Sequence, residues 1–307
     1  MNKFKEKVLF YGTPGFAVES LKGLMEGGFN IIGVVTAPDR RAGRGMRVKY
    51  SDVKDYALDN RIPVFQPTNL KSEEFQNQLK ELDPDVQVVI AFRMLPVKVW
   101  DFPRLGTYNV HASLLPSYRG AAPINWALYN GEKETGVTTF KLKHEIDTGD
   151  IALQASIAIS DTDNFESLHD KLALLGSQTI IETLKQLFEG SIKLLPQDFD
   201  KGNYPKAPKI NKADLFLDLD QKASKAYNAI RAFSPYPGAR ISYNDRLVKI
   251  ISALPDFVPH KKSDKTIYNM ENELYLRCSD KSLQITKAQF EGKKAMTAAE
   301  IINGRLI

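Results

Sequence analysis

The stretch "KVLFYGTPGFAVESLKGLMEGGFNIIGVVTAP", residues Lys7 to Pro38, decides the fold. It begins with a continuous apolar run, continues as an amphipathic segment, and ends in a second apolar run that is rich in β-branched residues. A strand, a helix and a strand in this order predict two parallel strands joined by a crossover helix. The runs are continuous rather than alternating, which is expected when both faces of a sheet are covered.

The same alternation of strands and helices continues to residue 190. Ser51 is a plausible N-cap for the first of the further helices. The further helices are predicted over residues 51–60, 72–83 and 165–190, and the further strands over 62–67, 86–92 and 108–115. Residues 1–190 are therefore predicted to form an α/β domain with a doubly wound, mostly parallel, Rossmann-like sheet.

The rest of the chain has a different pattern. Residues 191–212 lack periodicity and are rich in Pro and Lys, which indicates a linker. Residues 213–307 contain one short helix, at 221–233, and then short strands joined by Asn, Asp and Gly turns. This predicts a small C-terminal β-barrel of the OB-like kind. Two domains also suit a chain of 307 residues, since one compact core rarely grows so large.

Charge is distributed unevenly along the chain. Residues 201–307 contain 19 Lys and Arg against 11 Asp and Glu, a balance of +8, whereas residues 1–200 contain 23 against 26, a balance of −3. A basic second domain suggests an anionic partner, most often nucleic acid. On charge alone, a solvated lysine-rich surface explains the pattern equally well.

Composition excludes several classes of site and location. Cys278 is the single cysteine, so neither an intrachain disulfide nor a multi-cysteine zinc site is available. The four histidines lack the spacing of metal ligands. No apolar run approaches the ~18 residues that cross a bilayer, and the N-terminal residues do not form a signal peptide. We therefore expect a cytoplasmic, metal-free protein with no membrane association.

Candidate catalytic residues cluster in "YNVHASLLPSYRGAAP", Tyr108 to Pro123. Asn109 and His111 are two apart on a predicted strand, so their side chains share one face. They lie near its carboxyl end, where open α/β sheets bind ligands. A structural pair satisfied by the backbone is the alternative interpretation.

A carboxylate and an apolar loop accompany this pair. Asp147 follows a predicted strand in "HEIDTGD", and a carboxylate beside an imidazole orients the ring, stabilises its charged form and can relay a proton. An Asp-Thr-Gly turn is also common without any such role. The loop from Ser113 to Pro116 places apolar surface beside polar groups, which suits a flat ring system, although an ordinary connection looks similar. "GTPGFA", Gly12 to Ala17, lacks the GxGxxG pattern of dinucleotide sites.

These segments together resemble a known family. "NVHASLLPSYRGAAPINWALYNGEKETGVTTF" and "HEIDTGD" resemble the signature of 10-formyltetrahydrofolate-dependent formyltransferases. "FYGTPGFA", "IRAFSPYPGARI" and "FEGKKAMTAAEIING" extend the resemblance over nearly the whole chain. The basic loop Ala37–Lys54 and the C-terminal domain resemble the branch of the family that acts on tRNA.

The resemblance implies a set of site residues. Asn109, His111 and Asp147 correspond to the catalytic set, and 10-formyltetrahydrofolate is the implied formyl donor and co-substrate, with no metal. The chain departs from the family at Ala91–Pro96, where "AFRMLP" replaces a glycine-containing "AYGxxLP". The implied folate contacts are Ser113, Leu114, Leu115, Pro116, Arg93, Met94, Leu95, Leu142 and Ile146.

The resemblance also implies the acceptor: the amino group of methionine on initiator methionyl-tRNA, in translation initiation. A monomer is expected. The implied tRNA contacts are Arg40, Arg41, Arg44, Arg47, Lys49, Lys206 and Lys209.

Three alternatives stay open at this stage. One is formyl transfer to a small amine, either an amino sugar nucleotide or a glycinamide nucleotide. The others are a catalytically silent RNA- or folate-binding protein and a hydrolase that releases formate. The basic loop and the cationic second domain favour tRNA over a small amine. The complete Asn109, His111 and Asp147 set favours an enzyme over a binding protein.

Overall fold

The chain folds into two compact units that alternate along the sequence. The structure, a computed structural model, describes residues 2–42, 47–199, 202–259 and 266–307, and only the backbone of residues 41, 42 and 47. The first unit consists of Met1–Arg119, Gly136–Ser156 and Asp170–Pro205, and so reaches into the predicted linker. The second consists of Gly120–Thr135, Ile157–His169 and Lys206–Ile307. None of the helices in the described ranges is long and apolar enough to span a bilayer.

A seven-stranded sheet forms the centre of the first unit. Its strands and those near it are β1 (Lys7–Gly12), β2 (Asn30–Val35), β3 (Arg40–Ala42), β4 (Arg47–Lys49), β5 (Val64–Phe65), β6 (Val86–Ile90), β7 (Thr107–His111), β8 (Arg119–Gly120), β9 (Glu134–Lys141) and β10 (Ile151–Ala158). The helices up to residue 190 are α1 (Gly15–Glu26), α2 (Asp52–Asp59), α3 (Glu73–Leu82), α4 (Val97–Trp100), α5 (Pro123–Asn130) and α6 (Phe165–Phe188). Of these, α5 belongs to the second unit, and α6 begins in the second unit and continues in the first.

The strand order in this sheet is β10-β9-β7-β6-β1-β2-β5. β1 pairs in parallel with β2 and β6, β2 pairs in parallel with β5, and β6 pairs in parallel with β7. β9 pairs antiparallel with β7. The prediction of a mostly parallel, Rossmann-like sheet is confirmed. The chain adds strands on one side of β1 and then on the other, so the expected ligand crevice lies at the carboxyl ends of β1 and β6.

Local sequence accounts for these elements. Every residue of β6 is buried, as its continuous apolar pattern predicts. Ser51 caps α2 as predicted, because its Oγ accepts a hydrogen bond from the backbone N–H of Lys54 at 3.1 Å. An apolar cluster lies under the carboxyl ends of β1, β2 and β6. Its buried members are Leu9, Tyr11, Val35, Leu70, Phe75, Leu79, Val89, Leu95 and Val99.

The second unit contains an antiparallel sheet. Its elements are β11 (Lys206–Ala207), a 3₁₀ turn (Ala213–Leu215), α7 (Ala223–Phe233), β12 (Ala239–Tyr243), β13 (Arg246–Val258), β14 (Ile267–Met270), β15 (Glu273–Arg277), β16 (Ser282–Phe290), β17 (Met296–Thr297) and α8 (Ala298–Asn303). The order is β12-β13-β16-β15-β14, with β17 against β16. The prediction of a C-terminal domain built on short antiparallel strands, with a helix before them, is confirmed.

Candidate active site

Asn109 and His111 lie on one face of β7, held by strands on both sides. Asn109 is opposite Val89 of β6 and Phe140 of β9, and His111 is opposite Thr138 of β9. His111 is buried and Asn109 is half-buried. The two polar side chains are therefore positioned by the central sheet, which leaves little freedom to the backbone that carries them.

One hydrogen bond fixes the imidazole of His111. Its Nε2 lies 2.8 Å from the carbonyl oxygen of Tyr118. Because a carbonyl only accepts, Nε2 carries a proton and donates it. Tyr118 has φ 59°, and its own N–H donates to the Pro205 carbonyl at 2.6 Å. Nδ1 is therefore the nitrogen that faces other groups.

The carboxylate of Asp147 faces that nitrogen. Its Oδ2 lies 3.9 Å from Nδ1 of His111, which is an ion-pair distance when the imidazole is charged. The two side chains are only 12% and 7% exposed, so solvent screens their interaction weakly. The loop between β9 and β10 thus brings a third polar group to the pair on β7.

Close packing of the backbone shapes the loop that carries Asp147. Asp147 has φ 56°, in the left-handed region. A Cβ on Gly149 would lie 1.8 Å from the Lys141 carbonyl oxygen, so only glycine fits there. The buried amide of Gln197 donates to the carbonyls of Asp147 and Gly149, both at 2.9 Å. These contacts fix the direction of the carboxylate.

The loop from Ser113 to Pro116 is held by a compact hydrogen-bond network. Thr138 Oγ1 donates to the Ser113 carbonyl at 2.7 Å and accepts from the Leu115 N–H at 3.0 Å. Gln154 Nε2 donates to the Leu115 carbonyl at 2.8 Å and to Thr138 Oγ1 at 2.9 Å. The side chain of Ser113 is buried and donates to the Ser117 carbonyl, so it is not placed as a nucleophile.

The remaining residues implied as folate contacts have different environments. Leu95 belongs to the apolar cluster and Leu142 packs against it. Met94 and Ile146 are 72% and 62% exposed, which leaves large apolar side chains available for contact. The guanidinium of Arg93 donates to the carbonyls of Pro67 and Thr68, so this exposed cation is already held by a neighbouring loop.

The ends of the basic loop Ala37–Lys54 form a short hairpin that was not predicted from the sequence. Its two ends pair as an antiparallel hairpin, with Arg40 opposite Lys49 and Ala42 opposite Arg47. Arg40 and Lys49 have exposed side chains. Arg44 lies outside the described residues, as do the side chains of Arg41 and Arg47.

Lysines near this hairpin and in the predicted linker have separate environments. Lys54 Nζ contacts Asp39 at 2.6 Å and Gln66 at 2.8 Å, so it braces the base of the hairpin. Hydrogen bonds from Gln66 and Lys54 lower the pKa of Asp39. Lys206 and Lys209 are exposed, in the second unit.

Four groups that hold the site in place were not predicted from the sequence. The carbonyl of Tyr118 holds His111, Thr138 and Gln154 hold the Ser113–Pro116 loop, and Gln197 holds the loop of Asp147. Thr138 is one of three threonines in β9, so the strand's sequence does not single it out. Gln197 follows a proline in a segment without periodicity, and no local pattern marks it.

The arrangement suits proton transfer beside a developing negative charge. An amide, an imidazole and a carboxylate converge beside a rigid apolar loop, as acyl transfer to an amine requires. Burial raises the pKa of Cys278 to about 12, so this thiol stays protonated at neutral pH. Among the described residues, no group of three His, Cys, Asp or Glu side chains is placed to hold a metal ion.

Comparisons with known proteins agree with this chemistry. Residues 5–184 match the family model described as "Formyl transferase", and residues 209–306 match "Formyl transferase, C-terminal domain". The methionyl-tRNA formyltransferase of Bacteroides fragilis is 44% identical over 320 residues, covering 99% of this chain and 96% of the relative.

Solved structures share the fold at much lower identity. The HypX protein of Aquifex aeolicus, solved in complex with tetrahydrofolic acid, has a TM-score of 0.69 at 17% identity, and covers 99% of this chain. This chain spans 48% of that protein. An N-formyltransferase of Helicobacter canadensis, in complex with folinic acid and dTDP-3-aminofucose, has a TM-score of 0.66 at 20% identity, covering 93% of this chain and 99% of that one.

Proposed function

Because the chain belongs to the formyl transferase family, we propose that it transfers a formyl group from 10-formyltetrahydrofolate to the amino group of methionine on initiator methionyl-tRNA, for translation initiation. The observation that carries this proposal is the approach of the Asp147 carboxylate to His111, on the strand face that also bears Asn109. A protein that only bound RNA or folate would not need these three groups together.

The donor fits the loops beside this trio. The folate supplies the formyl group, carried on its N10 atom. The rigid Ser113–Pro116 loop offers apolar surface to its flat ring, and Leu95, Leu142, Met94 and Ile146 supply further apolar contacts. Rigid apolar walls with a few fixed polar groups are typical of small-molecule sites.

Each polar residue has a role in the transfer. As the amine attacks, negative charge develops on the formyl oxygen, and the Asn109 amide and a protonated Nδ1 of His111 are donors for it. One such donor is typically worth about 3 to 4 kcal/mol in the transition state. Asp147 takes the proton that the amine loses, directly or through a water, and N10 of the folate receives a proton as its bond to the formyl carbon breaks, an effect of about 10² to 10⁴ in rate. No covalent enzyme intermediate is required.

The basic hairpin supports a polyanionic acceptor. Arg40 and Lys49 lie directly opposite each other, an arrangement in which like charges repel. Phosphates of an acceptor stem would relieve this repulsion and contribute much of the affinity. Arg41, Arg44 and Arg47 in the same hairpin, and Lys206 and Lys209 further along, belong to the proposed tRNA contacts.

The proposal extends to the organisation of the protein. It places a catalytic domain at residues 1–190, a linker at 191–212 and a tRNA-binding domain at 213–307. Under the same proposal the protein is a cytoplasmic monomer that uses no metal cofactor.

A direct transfer assay tests the function. The pure protein is incubated with 10-formyltetrahydrofolate and either methionyl-tRNA or small amines, and formyl transfer is followed. We expect transfer to the charged tRNA, and losses of about 10² or more in kcat/KM for Asn109→Ala, His111→Ala and Asp147→Asn, since each removes a charge-stabilising or proton-transferring group. His144→Ala is the matched control, an exposed histidine near Asp147 with no proposed role.

Two results would contradict this function. Turnover of an amino sugar nucleotide or a glycinamide nucleotide that equals transfer to tRNA would favour the small-amine activity. Release of formate at the same rate with and without an acceptor would favour a hydrolase.

A further inference from the structure

The side chain of Gln197 connects two segments that are far apart in sequence, and we propose that it is a positioning residue that holds the Asp147 carboxylate at His111. This inference rests on the proposed function, since it concerns the same site. Gln197 touches neither the imidazole nor the reacting atoms in this proposal, and it acts through the backbone of the Asp147 loop.

The geometry of the amide is specific to this loop. Both donated bonds come from Nε2, one to the carbonyl of Asp147 and one to that of Gly149, and both are 2.9 Å long. These carbonyls belong to the residues on either side of Thr148, so a single NH₂ group holds two carbonyls of the same loop. Asp147 itself has φ 56°, a conformation that a residue with a Cβ keeps only where its surroundings hold it.

Gln197 is itself anchored close to the loop that it holds. Two residues earlier, Leu195 exchanges both backbone hydrogen bonds with Ile151, at 2.8 and 2.9 Å, and Ile151 begins β10 at the end of the Asp147 loop. Two residues later, the ring of Phe199 lies 4.4 Å from the guanidinium of Arg119. The amide is therefore fixed relative to the loop rather than free to follow it.

The segment around Gln197 also reaches the turn that orients the imidazole. Pro205 accepts a hydrogen bond from the N–H of Tyr118, and Tyr118 accepts one from Nε2 of His111. Residues on one stretch of chain after α6 thus contact the supports of His111 and Asp147, two of the three proposed catalytic residues. Gln197 supplies the part of this support that belongs to Asp147.

The other atom of the amide argues against a purely stabilising role. Oε1 of Gln197 is buried and has no hydrogen-bond partner among the described residues. A buried unpaired acceptor is destabilising, so it offsets part of the stability that the two donated bonds contribute. The contribution of this side chain to the site therefore lies in the two hydrogen bonds that its nitrogen donates.

The test uses the full chain and two substitutions. Gln197→Met keeps the volume and removes both donors, and we expect kcat for formyl transfer to methionyl-tRNA to fall about 10- to 100-fold, with KM for both substrates little changed, because the carboxylate loses its alignment. Gln76→Met is the matched control: Gln76 also donates from Nε2 to a carbonyl, that of Leu70 at 3.0 Å, but on α3.

Gln197→Glu supplies a second readout, the pH dependence of its activity relative to wild type, which a merely structural role would not change. The ionised carboxylate would face two carbonyls, so burial and repulsion raise the pKa of the new glutamate. Once protonated, it can donate to one of the carbonyls again. We therefore expect its activity, as a fraction of wild type at each pH, to rise as pH falls from 8.5 to 6.

Each outcome distinguishes the inference from the proposed function. Wild-type protein that fails to formylate methionyl-tRNA would overturn the proposed function. An active wild type with an equally active, folded Gln197→Met variant would overturn the inference alone, as would a change confined to KM. If Gln197→Met does not fold, Gln197→Glu decides: relative activity that does not change with pH contradicts the positioning role.

Discussion

At the scale of single residues, the hydrogen bond from Nε2 of His111 to the Tyr118 carbonyl decides which imidazole nitrogen can take part in the reaction. A ring held at Nε2 presents Nδ1 to Asp147, so any proton that His111 itself donates toward the formyl oxygen must come from that nitrogen. The direction of the ring therefore depends on the backbone of a residue that contributes no side-chain chemistry of its own. The same is true of Asp147, whose direction depends on the space left by a glycine.

Gly149→Ala tests this dependence on backbone space. The added Cβ would lie 1.8 Å from the Lys141 carbonyl oxygen and 2.8 Å from Cδ2 of Phe140, so the Asp147 loop must move. We expect a loss of stability of about 1 to 3 kcal/mol from overpacking, with a larger fractional loss of kcat. Thermal unfolding and steady-state transfer measure the two effects.

Gly202→Ala is the matched control for that substitution. There the three nearest atoms of the described residues to the added Cβ belong to the ring of Tyr204, at 3.6 Å or more, which is ordinary contact. A Gly149→Ala variant with the melting temperature and kcat of Gly202→Ala would show that the loop does not need the glycine.

The sequence predicts which chemical groups form this site better than it predicts how these groups are oriented. The two-residue period of a strand is enough to predict that Asn109 and His111 share a face, and their register on β7 agrees with it. The bond that His111 donates to Tyr118 depends on left-handed backbone at Tyr118, and the bonds that Gln197 donates join segments 48 and 50 residues apart. No local pattern encodes such contacts, so a sequence alone does not reveal them.

At the scale of elements, β9 serves two different structures through neighbouring threonines. Thr138 bonds the Ser113–Pro116 loop, while Thr139, on the opposite face, bonds Thr183 of α6 at 2.7 Å. One strand therefore holds the proposed donor loop on one side and packs against a helix on the other. This separation allows the two roles to be tested independently.

Thr138→Val is expected to weaken donor binding. The substitution keeps the shape but leaves the carbonyl of Ser113 and the N–H of Leu115 without this partner. We expect a loss of about 1 to 3 kcal/mol of stability and a raised KM for 10-formyltetrahydrofolate, with KM for tRNA unchanged. Thr139→Val is the matched control and should lower stability without raising KM for the donor. Equal donor KM values in the two variants would contradict the role of the network.

Elements with a clear period were the ones predicted from sequence. The buried strands and α6 follow continuous apolar or helical patterns, and Ser51 is the N-cap that its position suggests. The β3–β4 hairpin was missed because "RRA" and "RVK" lack an alternating apolar pattern. Its pairing depends on contacts across the loop rather than on local preference.

At the scale of the whole molecule, charge is the feature that separates tRNA from a small amine as the acceptor. Residues 201–307 carry a balance of +8, and the first unit adds a hairpin with opposed cations. A small amine needs no basic surface to bind. An RNA backbone binds a basic surface favourably, because its phosphates release counterions when lysines and arginines neutralise them. The sequence predicted this distribution because charge is read directly from composition. It did not reveal that Lys54 is occupied by Asp39 and Gln66.

The double substitution Arg40→Ala and Lys49→Ala tests the electrostatic part of the proposal. Each removed phosphate contact should reduce the slope of log affinity against log salt by about 1, so we expect weaker tRNA binding, a shallower salt dependence and an unchanged KM for the folate donor. Lys7→Ala with Lys133→Ala is the matched control, since it removes the same charge from a half-buried and an exposed lysine that contact Asp83 and Asp161 at 2.8 and 2.6 Å. An equal loss of affinity in the control would assign the effect to net charge alone. A raised donor KM in the hairpin variant would instead assign the hairpin to the folate site.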